Sequence, residues 1–589
     1  MNNSHRLDSG GRVDRSVPFR FTMDGIEYSG YQGDTLASAL LANGVIEVAP
    51  SLYRRRPRGI VTAGVEEPNA LVRLDGPAGG SMLTATTVEL YDGLSASWQS
   101  GRGRLDEPVE EARYDKKYAH CDVLIIGAGP AGLAAALVAA RPGARVIVVD
   151  EQSEPGGALL SSPEEIDGAP AMEWVASVCA ELSRMPEVRM LARSTAFGYH
   201  DHNYVLVAER RTDHLGPHAP KAMSRQRLWH VRAKRVVLAT GAHERPIVFA
   251  DNDRPGVMLA SAVRTYVNRY AAVPGRRMVV FTTNDSAYDA AFDLVEAGGS
   301  VSTIVDTRPS PPAELISRAE TAGVRVIAGA AVGGTSGERR LTGVRVAPLT
   351  ADGSLAAPAW VIDCDLLAVS GGWNPVVHLF SQSRGTLRYD EDLAAFVPDR
   401  SAQAEQTIGA ARGVYDLSGC LADGFAVGAD VPLPVPSRTA CSSMWMVPGE
   451  FGAPKEWSTH FVDLQRDSTV ADVYRATGAG VRSVEHVKRY TTIGTAHDQG
   501  KTSGVNAIAV IADALGGSVG QMGPTTFRAP YTPVSFALLA GRDRGNLHDP
   551  VRVTSIHSWH VERGAVFENV GQWKRPRYFP QGSEDMHAA

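Results

Sequence analysis

Cysteine is scarce in this 589-residue chain and is never arranged in pairs. The five cysteines lie far apart and form no CxxC motif; they are Cys121, Cys179, Cys364, Cys420 and Cys441. This pattern excludes a disulfide framework and a redox-active dithiol, and it is typical of proteins from a reducing compartment. Because no cysteine precedes Cys121, residues 1–120 contain no thiolate ligand.

Long apolar runs are also lacking, and none approaches the roughly 18 residues that a membrane-spanning helix requires. The first residues, MNNSHRLDSGGRVDRS, lack the apolar core of a secretory signal. The net charge of −6 gives no reason to expect nucleic acid or an anionic membrane as a partner. We therefore expect a soluble, cytoplasmic protein that binds neither.

Clusters of metal-ligating residues and recognisable catalytic sets are absent from the sequence pattern. His486 and His497 have no partners at useful spacing, so we expect no metal. No Ser/His/Asp or Cys/His set can be assigned from sequence order, and the catalytic residues stay unknown. The short basic stretch YRRRPRG at Tyr53–Gly59 predicts a loop whose arginines bind neighbouring carboxylates.

The stretch CDVLIIGAGPAGLAAALVAARPGARVIVVDEQ predicts a dinucleotide cradle. An apolar strand ends in GxGxxG, an alanine-rich helix follows, and a second apolar strand delivers acidic residues at the position that binds a ribose. The glycines permit a tight turn and close approach of the backbone to a pyrophosphate at the helix N-terminus. The predicted binding residues are Gly127, Gly129, Pro130, Ala131, Gly132, Asp150, Glu151 and Gln152.

The acid after the second strand favours an unphosphorylated ribose, and therefore NAD or FAD over NADP. Gly157, in DEQSEPGG, and Thr240 and Gly241, in ATGAHERP, complete the predicted cradle. This arrangement resembles the two-dinucleotide-binding-domain flavoproteins of the glutathione-reductase and thioredoxin-reductase type, in which a second nucleotide domain is inserted in the first. The resemblance implies an α/β, Rossmann-like fold.

The predicted insert has the strand, helix, strand order of a nucleotide domain, but its loop TTNDSAY contains no glycine. Side chains at those positions keep the backbone away from a pyrophosphate, so we expect a weakened or empty site. Where FAD-binding relatives carry a Gly-Asp pair, this chain has Gly409-Ala410, with Asp416 nearby. The missing acid favours NAD in the first cradle, with FAD as the alternative occupant.

Two further stretches resemble iron–sulfur modules that lack their cysteines. FTMDGIEYSGYQGDTLASALLANGV resembles the start of a plant-type ferredoxin fold. The stretch Phe461–Gly516, with the pattern KRYTTIG in its second half, resembles the helical module of bacterioferritin-associated ferredoxin. Because a cluster of this kind needs thiolate ligands, we expect no iron–sulfur cluster and no electron transfer in either module.

These stretches together resemble the α subunits of heterotetrameric sarcosine oxidases. The most specific block is SVEHVKRYTTIGTAHDQGKTSGVNA, and GDTLASALLANG, SGGWNP and GAVFENVGQWKRPRYFP extend the resemblance over nearly the whole chain. The predicted domains are 17–105, ferredoxin-like; 118–273 with 363–430, the first dinucleotide-binding domain; 274–362, the inserted domain; 440–520, the helical module; and 521–589, a linker to an aminomethyltransferase-like region.

The resemblance implies oxidation of sarcosine at an FAD held by a β subunit, with electrons passing to an FMN between the α and β subunits and then to O2. It implies a non-covalent NAD in this chain, γ and δ subunits as further partners, and a folate domain after RYFP. Since the chain ends at Ala589, we expect that domain to be absent or supplied by a separate tetrahydrofolate-binding chain. Lys488, Arg489 and Lys501 are the candidates to face the FMN.

Two alternative functions stay open at this point. The first is the large subunit of an imino-acid or opine dehydrogenase-type flavoprotein. The second is a non-catalytic scaffold that uses NAD as a structural brace.

Overall fold

The computed structural model describes residues 5–76, 79–103, 112–428, 433–434, 441–449 and 457–589. The predicted domain boundaries at 105, 430 and 440 lie outside these residues. Within them, every helix is too short or too polar to cross a membrane.

Strands and helices are numbered in chain order. The strands are β1 (Asp14–Met23), β2 (Ile26–Gln32), β3 (Leu71–Leu74), β4 (Gly80–Thr84), β5 (Leu94–Gln99), β6 (Tyr114–Ile126), β7 (Val146–Val149), β8 (Glu165–Ile166), β9 (Ala169–Pro170), β10 (Val188–Leu191), β11 (Ser194–His200), β12 (Tyr204–Arg210), β13 (Gln226–Leu238), β14 (Ala242–Glu244), β15 (Val257–Leu259), β16 (Arg277–Thr282), β17 (Ser300–Asp306), β18 (Arg325–Ala328), β19 (Ala330–Ser336), β20 (Gly343–Pro348), β21 (Trp360–Asp363), β22 (Leu366–Ser370), β23 (Trp373–Pro375), β24 (Thr386–Asp390), β25 (Ala395–Arg400), β26 (Glu405–Thr407), β27 (Phe461–Asp463), β28 (Ser468–Thr469), β29 (Val566–Val570) and β30 (Trp573–Tyr578). The α-helices are α1 (Leu36–Ala42), α2 (Pro130–Ala140), α3 (Ala171–Ser183), α4 (Ala260–Asn268), α5 (Tyr288–Glu296), α6 (Ala313–Thr321), α7 (His378–Gln382), α8 (Leu417–Phe425), α9 (Val470–Gly478), α10 (Val484–Thr491), α11 (Gly504–Leu515), α12 (Val519–Met522), α13 (Phe536–Ala540) and α14 (His557–Glu562).

The N-terminal unit is a five-stranded sheet in the order β2-β1-β5-β3-β4, with α1 packed against it. The GDTL motif forms the start of α1, where the Thr35 hydroxyl and the Ser38 side chain make a reciprocal capping box. Buried Asp34 accepts a hydrogen bond from the Ser38 hydroxyl and pairs with Arg6 at 2.7 Å. The motif therefore fixes the helix start and anchors the N-terminal segment.

The first nucleotide-binding unit is built on a seven-stranded sheet. Its parallel part runs β10-β7-β6-β13-β26, and the antiparallel strands β12 and β11 extend the sheet beyond β13. The apolar runs VLII and VIVV form the buried centre, as their composition predicts for parallel strands. Helices α2, α3 and α8 cover one face.

The second unit is a five-stranded parallel sheet in the order β15-β22-β16-β17-β18, with a three-stranded antiparallel sheet of β19, β20 and β21 beside it. Strands β15 and β22 lie outside the bounds 274–362 predicted for the insert. They belong to its sheet because β22 pairs with β16 on one side and with β15 on the other. Since short apolar strands look alike in sequence, only the pairing could assign them.

The C-terminal part contains a small helical module in which α9, α10 and α11 pack around an apolar core. Val473, Val487 and Ile511 are buried in that core. A capping box at Thr469 starts α9, and Ser483 caps α10.

The basic loop at residues 53–59 lies where these units meet. Arg58 is 1% exposed and pairs with Asp253, in the loop before β15, and with Asp467, between β27 and β28, at 2.5 Å. Arg56 adds ion pairs to Asp251 and Asp253 at 2.7 Å. The loop binds neighbouring carboxylates, as predicted, and it joins three parts of the chain; we call this cluster the arginine clamp.

Replacement of Arg58 by Met should lower the free energy of unfolding by about 3–5 kcal/mol, because two carboxylates stay buried without their partner. The measurement is urea unfolding followed by tryptophan fluorescence. Arg339→Met is the matched control: its pair with Glu47 is exposed, and its loss should cost less than about 1 kcal/mol. Equal losses in the two variants would contradict the role of the clamp.

Candidate functional site

The loop after β6 has the geometry of a phosphate cradle. Gly127 has φ 109°, and a Cβ there would lie 2.1 Å from the Ala239 carbonyl oxygen. A Cβ at Gly132 would lie 1.9 Å from the Gly127 carbonyl oxygen. Both positions therefore require glycine, the first for its turn and the second for close packing of helix and strand.

Gly129 differs from these two glycines because the space beside it is open. It forms the N-cap of α2, makes no side-chain cap, and is followed by Pro130 and Ala131. A Cβ at Gly129 would meet only the Gly157 Cα, at 3.7 Å. The first amides of α2 thus face a space that can take a phosphate.

The acids after β7 have different environments. Asp150 accepts hydrogen bonds from the backbone N–H groups of Ala128 at 2.6 Å and Gln152 at 2.8 Å. It therefore braces the glycine loop, and burial raises its pKa. The Glu151 carboxylate has no hydrogen-bond partner among the described residues. Burial raises the pKa of Glu151 to about 7, and the carboxylates of Asp150 and Glu66 add to the effect.

The remaining predicted cradle residues hold the edges of the site. Gln152 accepts a hydrogen bond from Arg269 at 2.9 Å through its side chain. Thr240 donates through its hydroxyl to the Val376 carbonyl at 2.7 Å, and Gly241 follows with φ 77°. Thr240 and Gly241 thus connect β13 to the paired strands β14 and β23.

An internal ion pair lies next to Gly409-Ala410, where the sequence lacks the acid expected of an FAD site. Arg412 binds Asp423 through two nitrogen–oxygen contacts of 2.6 Å, and the Gly409 N–H donates to Asp423 at 2.9 Å. Asp416 caps α8 by accepting from the Gly419 N–H at 2.7 Å. Both nearby acids are therefore engaged within the protein.

The loop of the second unit is filled by its own side chains. Asp306, at the end of β17, accepts from the Tyr288 hydroxyl at 2.9 Å and pairs with Arg308 at 2.8 Å. Arg308 also pairs with Asp285 in the loop at 2.6 Å. The acid at the position that binds a ribose is thus neutralised by the chain itself.

A cavity of about 90 Å³ lies between α10, α11, the β14–β23 pair and the segment before α13. Its walls are largely apolar, with Val487, Ile493 and Ile508 among them. Lys488 and Lys501 both line it, so the structure brings together two of the three predicted cationic residues.

Arg489, the third predicted residue, does not line this cavity. Its side chain is 66% exposed and lies 3.8 Å from Glu485 on the same helix. On α10, successive residues point in different directions. The helix therefore directs Lys488 to the cavity and Arg489 to solvent.

Lys501 is buried in the cavity wall. Its Nζ donates to the carbonyl oxygens of Asp498 at 3.1 Å and Tyr531 at 2.9 Å. Burial lowers the pKa of Lys501 to about 8, and the nearby carboxylate of Asp498 opposes the shift. Both Asp498 carboxylate oxygens are buried without a hydrogen-bond partner, and burial raises the pKa of Asp498 to about 7.

Two histidines line the same cavity and were not predicted as site residues. His378 stacks on Tyr531 with ring centroids 4.4 Å apart, and His243 lies 3.7 Å from Glu66. Burial lowers the pKa of each imidazole to about 3, and Lys501 adds to both shifts. No sequence spacing links these two histidines to Lys501, because three separate segments of the chain supply the three residues. Among the described residues no group of three His, Cys, Asp or Glu side chains is arranged to hold a metal ion.

The buried His378 makes stability depend on acid pH. Because its folded pKa is about 3 and an unfolded histidine has a pKa of about 6.5, unfolding takes up a proton between these values. The wild type should therefore lose about 1.4 kcal/mol per pH unit relative to His378→Gln as the pH falls below about 6. Urea unfolding of both proteins from pH 7 to 4.5 measures the difference, and parallel curves would contradict it.

Three family models match the chain. Residues 16–101 match the 2Fe-2S iron-sulfur cluster binding domain, residues 121–403 the pyridine nucleotide-disulphide oxidoreductase family, and residues 457–542 the sarcosine oxidase A3 domain. The fold is similar to the crystal structure of L-proline dehydrogenase from P. horikoshii, with a TM-score of 0.68, 21% identity, and coverage of 91% of this chain and 99% of that one. The predicted fold class is confirmed.

The match at residues 16–101 corrects the prediction that the chain has no iron–sulfur cluster. That prediction was wrong because it rested on the number of thiolates alone. The family match rests on the residue pattern of the whole domain, and it assigns residues 16–101 to the family of 2Fe-2S iron-sulfur cluster binding domains.

Among curated proteins, the chain is similar to two sarcosine oxidase α subunits. It is 50% identical over 618 residues to the subunit from Corynebacterium sp. (strain P-1), covering 100% of this chain and 63% of that protein. It is 40% identical over 648 residues to the subunit from Rhizobium meliloti (strain 1021), covering 99% and 63%. The chain thus spans less than two thirds of the length of these relatives. With the matched A3 domain, these similarities show that the chain resembles the sarcosine oxidase α subunits over its whole length.

Proposed function

We propose that this chain works as the α subunit of a multimeric sarcosine oxidase, an oxidoreductase that acts on CH–NH donors with O2 as acceptor. The complex oxidises sarcosine to glycine, with hydrogen peroxide and either formaldehyde or methylene-tetrahydrofolate as further products. The family supports the reaction. The observation that supports a role of this chain in flavin binding is the cavity with Lys488 and Lys501 in its wall.

NAD is the proposed occupant of the first cradle, and FAD is the alternative. The open space at Gly129 suits a pyrophosphate, and the Glu151 carboxylate is available to a ribose. The acids nearest the ribityl position of flavoproteins, Asp416 and Asp423, are engaged by α8 and Arg412. This engagement favours NAD, held as a bound cofactor rather than exchanged at each turnover.

FMN is the proposed ligand of the cavity, where it would be shared with the β subunit. When bound, FMN supplies an acceptor that passes electrons to O2. The apolar walls around Val487 and Ile508 would pack against a flat ring. Lys488 and Lys501 would supply positive charge for the phosphate or the electron-rich ring edge. The residues of the cavity suit FMN, because apolar walls match the ring and the two lysines match its polar groups.

The proposed partners are a β subunit that carries FAD, small γ and δ subunits, and a tetrahydrofolate-binding chain that takes the one-carbon unit. The proposed location is the cytoplasm. A non-catalytic NAD-binding scaffold is the competing function, since it would need the cradle but not the cavity. Mass spectrometry of the denatured complex, purified after co-expression with the β subunit, identifies each nucleotide and each chain. A complex that holds flavin only in β would contradict the proposal.

Loss of the Lys488 charge should weaken FMN binding. We expect Lys488→Ala to reduce FMN affinity by roughly tenfold, the effect of one charge-assisted hydrogen bond. Flavin released on denaturation, counted per complex, measures the change. Arg489→Ala is the matched control and should retain full FMN content, because Arg489 points to solvent. Full FMN content in both Lys488→Ala and Lys501→Ala would contradict the site.

A methyl group at Gly129 should block the first cradle. Because a Cβ there meets only Gly157, Gly129→Ala should fold normally, while its Cβ takes the space proposed for the pyrophosphate. We expect at least a tenfold loss of NAD in the purified protein, measured by chromatography after denaturation. Gly478→Ala, where a Cβ has open space, should leave NAD content unchanged. Equal NAD content in the two variants would place the nucleotide elsewhere.

A further inference from the structure

Residues 524–534, here called the strap, connect α12 to α13 and cross the cavity. Pro524, Thr525, Phe527 and Tyr531 line the cavity from this side. Arg528 and its neighbours on the outer side are exposed. The strap therefore lies between the cavity and solvent.

The strap is held by very few hydrogen bonds. Among the described residues, none of its backbone N–H groups has a protein acceptor. The one hydrogen bond that the strap makes within the described part of the chain runs from Lys501 Nζ to the Tyr531 carbonyl oxygen at 2.9 Å. Segments with few backbone hydrogen bonds open at low free-energy cost, so this bond has a large effect on closure.

Aromatic contacts add to the closure at the same point. The Tyr531 ring stacks on His378 with centroids 4.4 Å apart, and Lys501 Nζ lies 4.0 Å from the Tyr531 centroid. Phe527 meets Tyr531 edge to face at 5.4 Å. Closure is thus concentrated on one residue, Tyr531, rather than spread along the strap.

Both ends of the strap are anchored. Leu538, on α13, is fully buried beside Phe197 and Leu228. On the other side, α12 lies against Tyr389, since a Cβ at Gly520 would be 3.3 Å from its side chain. The middle of the strap can therefore move while its ends stay in place.

We propose that the strap is a gate, which opens and closes the cavity, and that Lys501 is its latch, which holds the strap closed. Lys501 also binds the ligand. A lysine ammonium has three N–H donors, and two of them are used on the carbonyls of Asp498 and Tyr531. The third donates to an acceptor on the ligand, so that one ammonium holds both the ligand and the closed strap. The site takes a planar ring that carries a hydrogen-bond acceptor at its edge.

The identity of the ligand rests on the proposed function, whereas the latch does not. Two experiments separate them. The first measures opening of the strap in the full chain without any flavin. The second measures flavin uptake by the complex with the β subunit.

Opening is measured by the rate of trypsin cleavage after Arg528. Lys501→Met should increase this rate by about tenfold, the effect of losing one hydrogen bond to a charged group. Lys488→Met is the matched control, because Lys488 lines the cavity without bonding to the strap, and it should behave as wild type. Equal rates in Lys501→Met and wild type would overturn the latch.

A general loss of structure in Lys501→Met would show as faster hydrogen exchange of the helical amides of α11. In that case Tyr531→Leu decides, because it removes the stack on His378 and leaves Lys501 in place. Faster cleavage after Arg528 with unchanged hydrogen exchange in α11 supports the proposal. Unchanged cleavage after Arg528 overturns it.

A disulfide tests the gate itself. A Cβ at Gly198 would lie 3.4 Å from the Ala529 Cβ, close to the spacing of a disulfide. The double variant Gly198→Cys and Ala529→Cys, oxidised, should lower the rate of FMN uptake at least tenfold in complexes from a riboflavin-limited host, and dithiothreitol should restore it. Equal rates before and after reduction would overturn the gate. If wild-type complexes take up no FMN, the proposed function of the cavity fails, and the trypsin experiment still decides the latch.

Discussion

Arg58 is buried between two carboxylates that belong to different parts of the chain, and the relative position of these parts depends on that contact. Asp253 belongs to the loop before the second nucleotide-binding sheet, and Asp467 to the turn before the helical module. A guanidinium can satisfy both acids because its donors diverge in one plane. Since a buried charge without its partner is costly, this geometry is strongly specified. The cavity lies between elements that this contact holds in register.

The two nucleotide-binding units show how the same topology is kept or abandoned for binding. In the first unit, glycines let the backbone approach the space for the ligand. Asp150 stabilises the loop by accepting hydrogen bonds from backbone N–H groups. In the second unit, the corresponding space is used by Tyr288 and Arg308, whose contacts with Asp306 are internal. The open loop of the first unit leaves stabilising contacts unmade. In the second unit, the contacts of Tyr288 and Arg308 with Asp306 stabilise the fold instead.

Four groups with shifted pKa values lie in the cavity wall or directly beside it. Two histidines are kept neutral, Lys501 has a lowered pKa, and the Asp498 carboxylate has a raised one, in each case mainly because burial disfavours the charged form. Such clusters are found preferentially at functional sites. The strap closes this space through the same lysine, which couples closure of the cavity to the charge inside it.

Sequence patterns were sufficient for the parts of the protein that are local in the chain. The GxGxxG spacing with its flanking strands predicted the strand, turn and helix at the start of the first unit, because these depend on residues within a few positions of one another. The clamp partners of Arg58, the assignment of β15 and β22, and the meeting of Lys501 with His243 and His378 could not be read in this way. They join segments more than eighty residues apart, so only tertiary packing brings them together. Counting cysteines misjudged the N-terminal domain for a related reason, since one ligand type says less than the pattern of a whole domain. The sequence by itself determined the fold class and the glycine loop, because both follow from backbone geometry. Tertiary structure decided which charges are buried together, and therefore where the cavity lies.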